Sequence, residues 1–310
     1  MSRAPSRHYV TWLVDSARWD RFVPRPGDVV VATYPKSGTT WVQRLVSLLV
    51  RPTTEAFALD REFPWWEYRL AFDIDALVAH AEAMTGRRCF KSHIPFDGLV
   101  VHDEVRYIHV VRDPRDVALS YHNHTSGFTA KARAEMDAVG LADPRIGRPY
   151  PQIDTDPAAF FHRWLTEGAL PPFSSGTPFL PYIPFEESYL HEASRKNLLI
   201  VHYADLKRDL VGEMARIARF LGVEKTAAEI TALAAHGEFS AMRKDGAALI
   251  PGVVKNFEGG AERLFHSARQ AGWRGVFAER DLAEFDRRLT EAFTPGERQF
   301  LMAGRLAPAA

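Results

Sequence analysis

One cysteine, Cys89, occurs in 310 residues. A lone thiol cannot close an internal disulfide, so a stapled secreted scaffold is excluded and a reducing compartment is the expected home. Net charge is missing too, because 39 lysines and arginines balance 39 aspartates and glutamates. That excludes bulk attraction to nucleic acid or anionic membranes, while leaving room for a local basic pocket. No apolar run reaches the length of a membrane span; residues 41–50 are interrupted by Gln43 and Arg44. Residues 1–20 mix charges throughout and lack the apolar core of a secretory signal. Internal repeats and low-complexity tracts are absent. These absences describe a cytoplasmic protein with no membrane span and no nucleic-acid partner.

What is present is a large apolar content, 46% of residues, with 12% aromatic. A sizeable core follows, and disorder is excluded. Four β-branched runs, 28–33, 88–91, 105–112 and 197–203, read as strands covered on both faces. Helical patterns lie among them at 39–49, 113–122, 206–221 and 281–293, the second opened by Asp113 as N-cap and Pro114 at its first position. Strands alternating with helices predict an α/β fold with a mostly parallel, doubly wound sheet. Three stretches, 125–157, 168–184 and 246–260, are rich in proline, glycine and polar residues and read as loops.

The strongest chemical signal follows the first strand, in Tyr34-Pro35-Lys36-Ser37-Gly38-Thr39-Thr40-Trp41. Gly38 permits a tight turn that aims successive N–H groups at an anion. Thr39 and Thr40 begin a helix whose positive end favours phosphate, and Ser37 and Lys36 add a hydroxyl and a charge. The order of lysine and glycine is not that of a Walker A loop, in which glycine precedes lysine. On local pattern alone, the loop binds phosphate or merely caps a helix with an incidental lysine.

The eight residues match, without a change, the phosphosulfate loop of the cytosolic-type sulfotransferase family, and the chain resembles that family from about residue 22 to 277. The resemblance implies a three-layer, P-loop-NTPase-like fold with helices flanking the central sheet. It also implies 3′-phosphoadenosine-5′-phosphosulfate (PAPS) as sulfuryl donor and 3′-phosphoadenosine 5′-phosphate (PAP) as product. By the same resemblance Lys36 reaches the bridging oxygen between phosphate and sulfate, and Trp41 lies against adenine. Arg112-Asp113-Pro114-Arg115-Asp116-Val117-Ala118-Leu119-Ser120 is similar to the family's second nucleotide motif, in which the first arginine and final serine bind the 3′-phosphate. Arg112 offers a planar fork of donors suited to that group. Lys91-Ser92-His93 looks like the Lys-Thr-His element, with serine for threonine. His93 is the expected base, since a neutral imidazole can accept a hydroxyl proton.

Weaker matches follow. Tyr203 resembles a tyrosine that contacts adenine, and Phe239, followed by Met242, resembles an aromatic wall of the adenine pocket. Ordinary core packing explains either one taken singly. Where the family has Arg-Lys-Gly over the 3′-phosphate, this chain has His266, Ser267 and Ala268, so His266, Arg269 or Arg274 must supply the charge. Phe63, Trp65 and Trp66 sit where the family has an acceptor-side loop, and Phe161 follows the long loop. They line an apolar acceptor pocket or form a core patch.

The expected reaction is in-line transfer to a hydroxyl of a small, partly apolar acceptor. His93 takes the proton, Lys36 and Lys91 compensate charge, and no metal is required. A single domain over 1–310 is expected, with its core at about 22–293 and residues 125–157 as an acceptor lid. The chain would be a monomer or a homodimer. Two other readings are a kinase with a variant phosphate loop, dependent on ATP and magnesium, and a nucleotide-binding module without activity.

Overall fold

The computed structural model describes residues 2–70, 73–264 and 270–306. Its centre is a parallel sheet of β1 (Val29–Thr33), β2 (Cys89–Ser92), β3 (Arg106–Val111) and β4 (Leu198–His202), ordered β2-β1-β3-β4. Val29 lies beside Cys89 on one side and Arg106 on the other, and Tyr107 beside Leu198 continues the sheet. Successive residues of β1 face opposite cores: Val30 and Ala32 join one apolar cluster, Val29 and Val31 the other. That is why the strands read as unbroken apolar runs.

Because the strands are parallel, their C-terminal ends share one edge. The chain leaves β1 for β2 on one flank and then crosses back to β3 on the other, opening a crevice at that reversal. Helix α1 (Thr39–Val50) follows β1, and α2 (Pro114–Thr125) follows β3 with Asp113 capping the Arg115 amide. After β4 the expected long helix is two. Residues Tyr203–Arg208 form a short one, and α3 (Leu210–Leu221) restarts where Asp209 leaves helical geometry and its side chain accepts from Gly212 N–H.

Residues 125–157 are not the irregular loop expected. They contain α4 (Ala130–Ala142), opened by the Thr129 cap. Its Ala132 and Met136 pack in a third apolar cluster with Trp12, Phe128, Ile146, Tyr150 and Phe257. Alanine favours helix in the first half of the segment. The prolines that suggested a loop all follow it, at 144, 149, 151 and 157. Residues 246–260 are likewise short helical turns, Gly246–Leu249 and Pro251–Val254, and they pair with the long segment through a Phe128–Phe257 bridge. Among the described residues no helix is long and apolar enough to cross a membrane.

Candidate active site

Each central strand delivers one part of the site at the shared edge. From β1 comes the loop at 34–41. Lys36 holds φ 72° and Gly38 φ 117°. Left-handed backbone costs a side-chain-bearing residue of order 1–3 kcal/mol, so the fold must hold Lys36 there. At Gly38 a Cβ would lie 2.9 Å from the Tyr203 ring, so glycine is required by space as well as by φ. Ser37 Oγ is buried within this loop without a hydrogen-bond partner among the described residues. An unsatisfied buried hydroxyl beside a helix N-terminus fits a phosphate or sulfate oxygen.

From β2 come Lys91 and His93. His93 Nδ1 lies 2.7 Å from the carbonyl of Thr33, the last residue of β1. A carbonyl only accepts, so Nδ1 carries the proton and Nε2 keeps its lone pair. Burial, and next the charge of Lys91, push the His93 pKa well below its ordinary value, with the Thr33 bond opposing. The ring is therefore a neutral base near pH 7.

From β3 comes Arg112, whose guanidinium donates to the Lys36 carbonyl at 3.2 Å and lies 4.6 Å from the centre of the Tyr203 ring. Ser120 lies further along α2 and is half-buried. From β4 comes Tyr203, packed edge-on against Trp41 at 5.1 Å. Trp41 in turn donates to the Gly237 carbonyl at 2.7 Å, and Phe239 packs against the same cluster.

Lys36 and Lys91 are each held down to about 8, in both cases first by lost hydration. For Lys36 the neighbouring Arg112 and Lys91 add to the effect, while Glu67 and Asp60 oppose it at Lys91. Cations gathered in a poorly hydrated crevice are relieved when a polyanion enters. Glu67 is an acid built into the wall. Fully buried, it accepts from Trp65 Nε1 at 2.6 Å, Trp19 Nε1 at 2.9 Å, the His93 amide at 2.5 Å and Ser92 Oγ at 3.2 Å. It thereby joins the His93 backbone to the Trp65 ring. That ring packs edge-on against His93 at 4.8 Å, stacks on Tyr68 at 4.5 Å and lies under Lys91 Nζ at 4.4 Å.

Not all expected acceptor residues reach this wall. Phe63 is fully buried among the residues of α1 and β1. Trp66 packs on Phe22 and Phe90 and donates to the Arg18 carbonyl. Phe161 stacks on Phe277 at 4.0 Å inside the other core. These three belong to the core; of the aromatic run, Trp65 and Tyr68 are the part-exposed rings. At the far end, Asp116 accepts from the amides of Ala271 and Gly272, at 2.9 and 3.0 Å. Arg115 and Arg274 both lie on the Trp273 ring. A cavity of about 220 Å³ beside Arg112 is lined by Tyr203, Gln270, Trp273 and Arg274 among others. His266 and Arg269 lie outside the described residues.

Sequence reasoning missed His124. Its Nδ1 lies 3.5 Å from Lys36 Nζ. The available signal was its spacing, since Asp116, Ser120 and His124 recur every four residues along α2 and share a face.

The sulfotransferase domain model matches residues 26–295. The chain belongs to the sulfotransferase domain family. It is 32% identical over 298 residues to a glycolipid sulfotransferase of Mycobacterium tuberculosis, covering 93% of this chain and 91% of that one. It is 23% identical to sulfotransferase 2A6 of Rattus norvegicus, covering 89% of both. The fold is that of mouse sulfotransferase SULT7A1 complexed with PAP, with a TM-score of 0.66, 21% identity and coverage of 91% of this chain and 89% of that one. A retinol dehydratase in complex with androsterone and inactive cofactor PAP gives a TM-score of 0.67 at 19% identity, covering 91% and 87%. A parallel α/β sheet flanked by helices is thus shared with sulfotransferases, as the resemblance implied.

Proposed function

We propose that this PAPS-dependent sulfotransferase sulfates a hydroxyl of a small, partly apolar acceptor, with His93 as the base. The observation that carries the reading is the 2.7 Å bond from His93 Nδ1 to Thr33 O. It anchors the base to the residue just before the phosphate loop and leaves Nε2 as the proton-accepting atom.

PAPS, when bound, supplies an activated sulfuryl group. Ser37, Gly38, Thr39 and Thr40 would hold its phosphate end through backbone and hydroxyl donors. Arg112 and Ser120 would take the 3′-phosphate, with Arg274 or the residues before 270 completing that end. Trp41, Tyr203 and Phe239 would enclose the base. The rest of the chemistry belongs to the protein's own side chains. His93 Nε2 accepts the acceptor's proton, Lys36 and Lys91 present ammonium groups where negative charge grows, and Glu67 holds the base and Trp65 in place. The partly exposed Trp65 ring, held between Tyr68 and Lys91, would offer an apolar edge to the acceptor. The glycolipid sulfotransferase at 32% identity supports an acceptor that joins a sugar hydroxyl to an apolar body.

The kinase reading is disfavoured by the family and by the order of lysine and glycine in the loop. Incubation with PAPS, or with ATP and magnesium, and a panel of alcohols, phenols and glycolipids tests the choice by mass spectrometry. Sulfated product from PAPS alone is expected; phosphorylated product from ATP would overturn the reading.

A further inference from the structure

His124 has a definite protonation state and no task in the mechanism above. Its Nδ1 faces Lys36 Nζ at 3.5 Å. An ammonium group only donates, so Nδ1 receives and the proton of the neutral ring sits on Nε2. Burial, then the charges of Lys36, Lys91 and Arg263, push the His124 pKa well below its ordinary value, which keeps the ring neutral. Phe257, Phe128 and Tyr121 surround it, with ring centres 4.5, 5.3 and 6.2 Å away. The residue is half-buried, and its Nε2 has no protein partner among the described residues.

His93 has the opposite arrangement, with Nδ1–H spent on Thr33 O and Nε2 without a protein partner among the described residues. The same two lysines act on both rings. The crevice therefore holds two neutral imidazoles of opposite tautomer, one offering a lone pair and the other an N–H.

We propose that His124 Nε2–H donates a hydrogen bond to an acceptor oxygen next to the hydroxyl deprotonated by His93, so that the site selects sugars and 1,2-diols over monohydric alcohols. The proposal rests on the sulfuryl-transfer reading. A monohydric acceptor would leave this donor unpaired in a poorly hydrated site, and sites built to bond a substrate oxygen reject analogues that lack it.

The test compares kcat/KM for 1,2-octanediol and 1-octanol with PAPS as donor, in the wild type and three variants. His124→Phe removes both ring functions, H124N keeps an acceptor for Lys36, and H124Q keeps a donor in place of Nε2. PAP binding by calorimetry checks that each variant is folded. The wild type should prefer the diol by about fivefold or more, the worth of one net hydrogen bond. His124→Phe and H124N should abolish that preference, and H124Q should retain most of it. An unchanged diol-to-alcohol ratio in His124→Phe overturns the proposal, even if both rates fall through misplacement of Lys36. Absence of sulfated product from either alcohol and from octyl glucoside in the wild type would instead overturn the reading beneath it.

Discussion

The phosphosulfate cradle is carried by consecutive residues, 34–41, whereas the acceptor end is assembled from 65–68, 91–93 and 121–128. In that cradle one turn of backbone does most of the work. Positive φ at Lys36 and Gly38 and the first amides of α1 are set by local geometry. Elsewhere in the site most of the deciding contacts join residues far apart in sequence. His93 depends on Thr33, Trp65 on Glu67, and Lys36 on His124, across separations of 60, 2 and 88 residues. The difference teaches that a motif is legible where backbone makes the site, and poorly so where side chains from separate elements do.

The comparison is most easily broken at Lys36. Lys36→Met should lower kcat by roughly 10²–10³-fold, the usual cost of one transition-state donor, with acceptor KM little changed. A rise in KM at constant kcat would move Lys36 to ground-state binding. Phe63→Ala and Trp65→Phe sharpen the split between core and wall. Emptying the Phe63 site should cost about 3–5 kcal/mol in chemical denaturation while the folded enzyme keeps its acceptor KM. A raised KM with unchanged stability would return Phe63 to the pocket.

The pH profile of kcat/KM should be asymmetric. Lys36 and Lys91 must be ammonium groups and titrate at about 8, so activity falls as pH rises through that value. His93 must be neutral, and its pKa lies well below the ordinary imidazole value of 6.5, so the acid limb is displaced downward. An acid limb centred on 6.5 would contradict the burial of His93. The smallest effect belongs to Trp65→Phe. It removes one donor from Glu67 while keeping a ring, and should raise acceptor KM about three- to tenfold with kcat nearly constant.

Much of the fold was readable before the structure. The four strands differ by only a residue or so at each end, because a strand buried on both faces leaves an unbroken apolar run. Helix α4 was lost because prolines after residue 143 dominated the composition of the segment. Phe63, Trp65 and Trp66 are adjacent and chemically alike, so no property of the sequence says which one turns outward. The bond from Trp65 Nε1 to Glu67, which sets the ring of residue 65 against His93, becomes visible only in three dimensions. Arg112, Tyr203 and Trp41 do meet around one crevice, and they were legible through the resemblance rather than through chemistry.

The central claim is that His93 Nε2 takes the acceptor's proton. Turnover of His93→Ala with PAPS, measured with and without added imidazole, tests it most directly. The account predicts a loss of roughly 10²–10⁴-fold in kcat, unchanged PAP affinity and partial recovery with imidazole. Near wild-type turnover of His93→Ala without imidazole would contradict it.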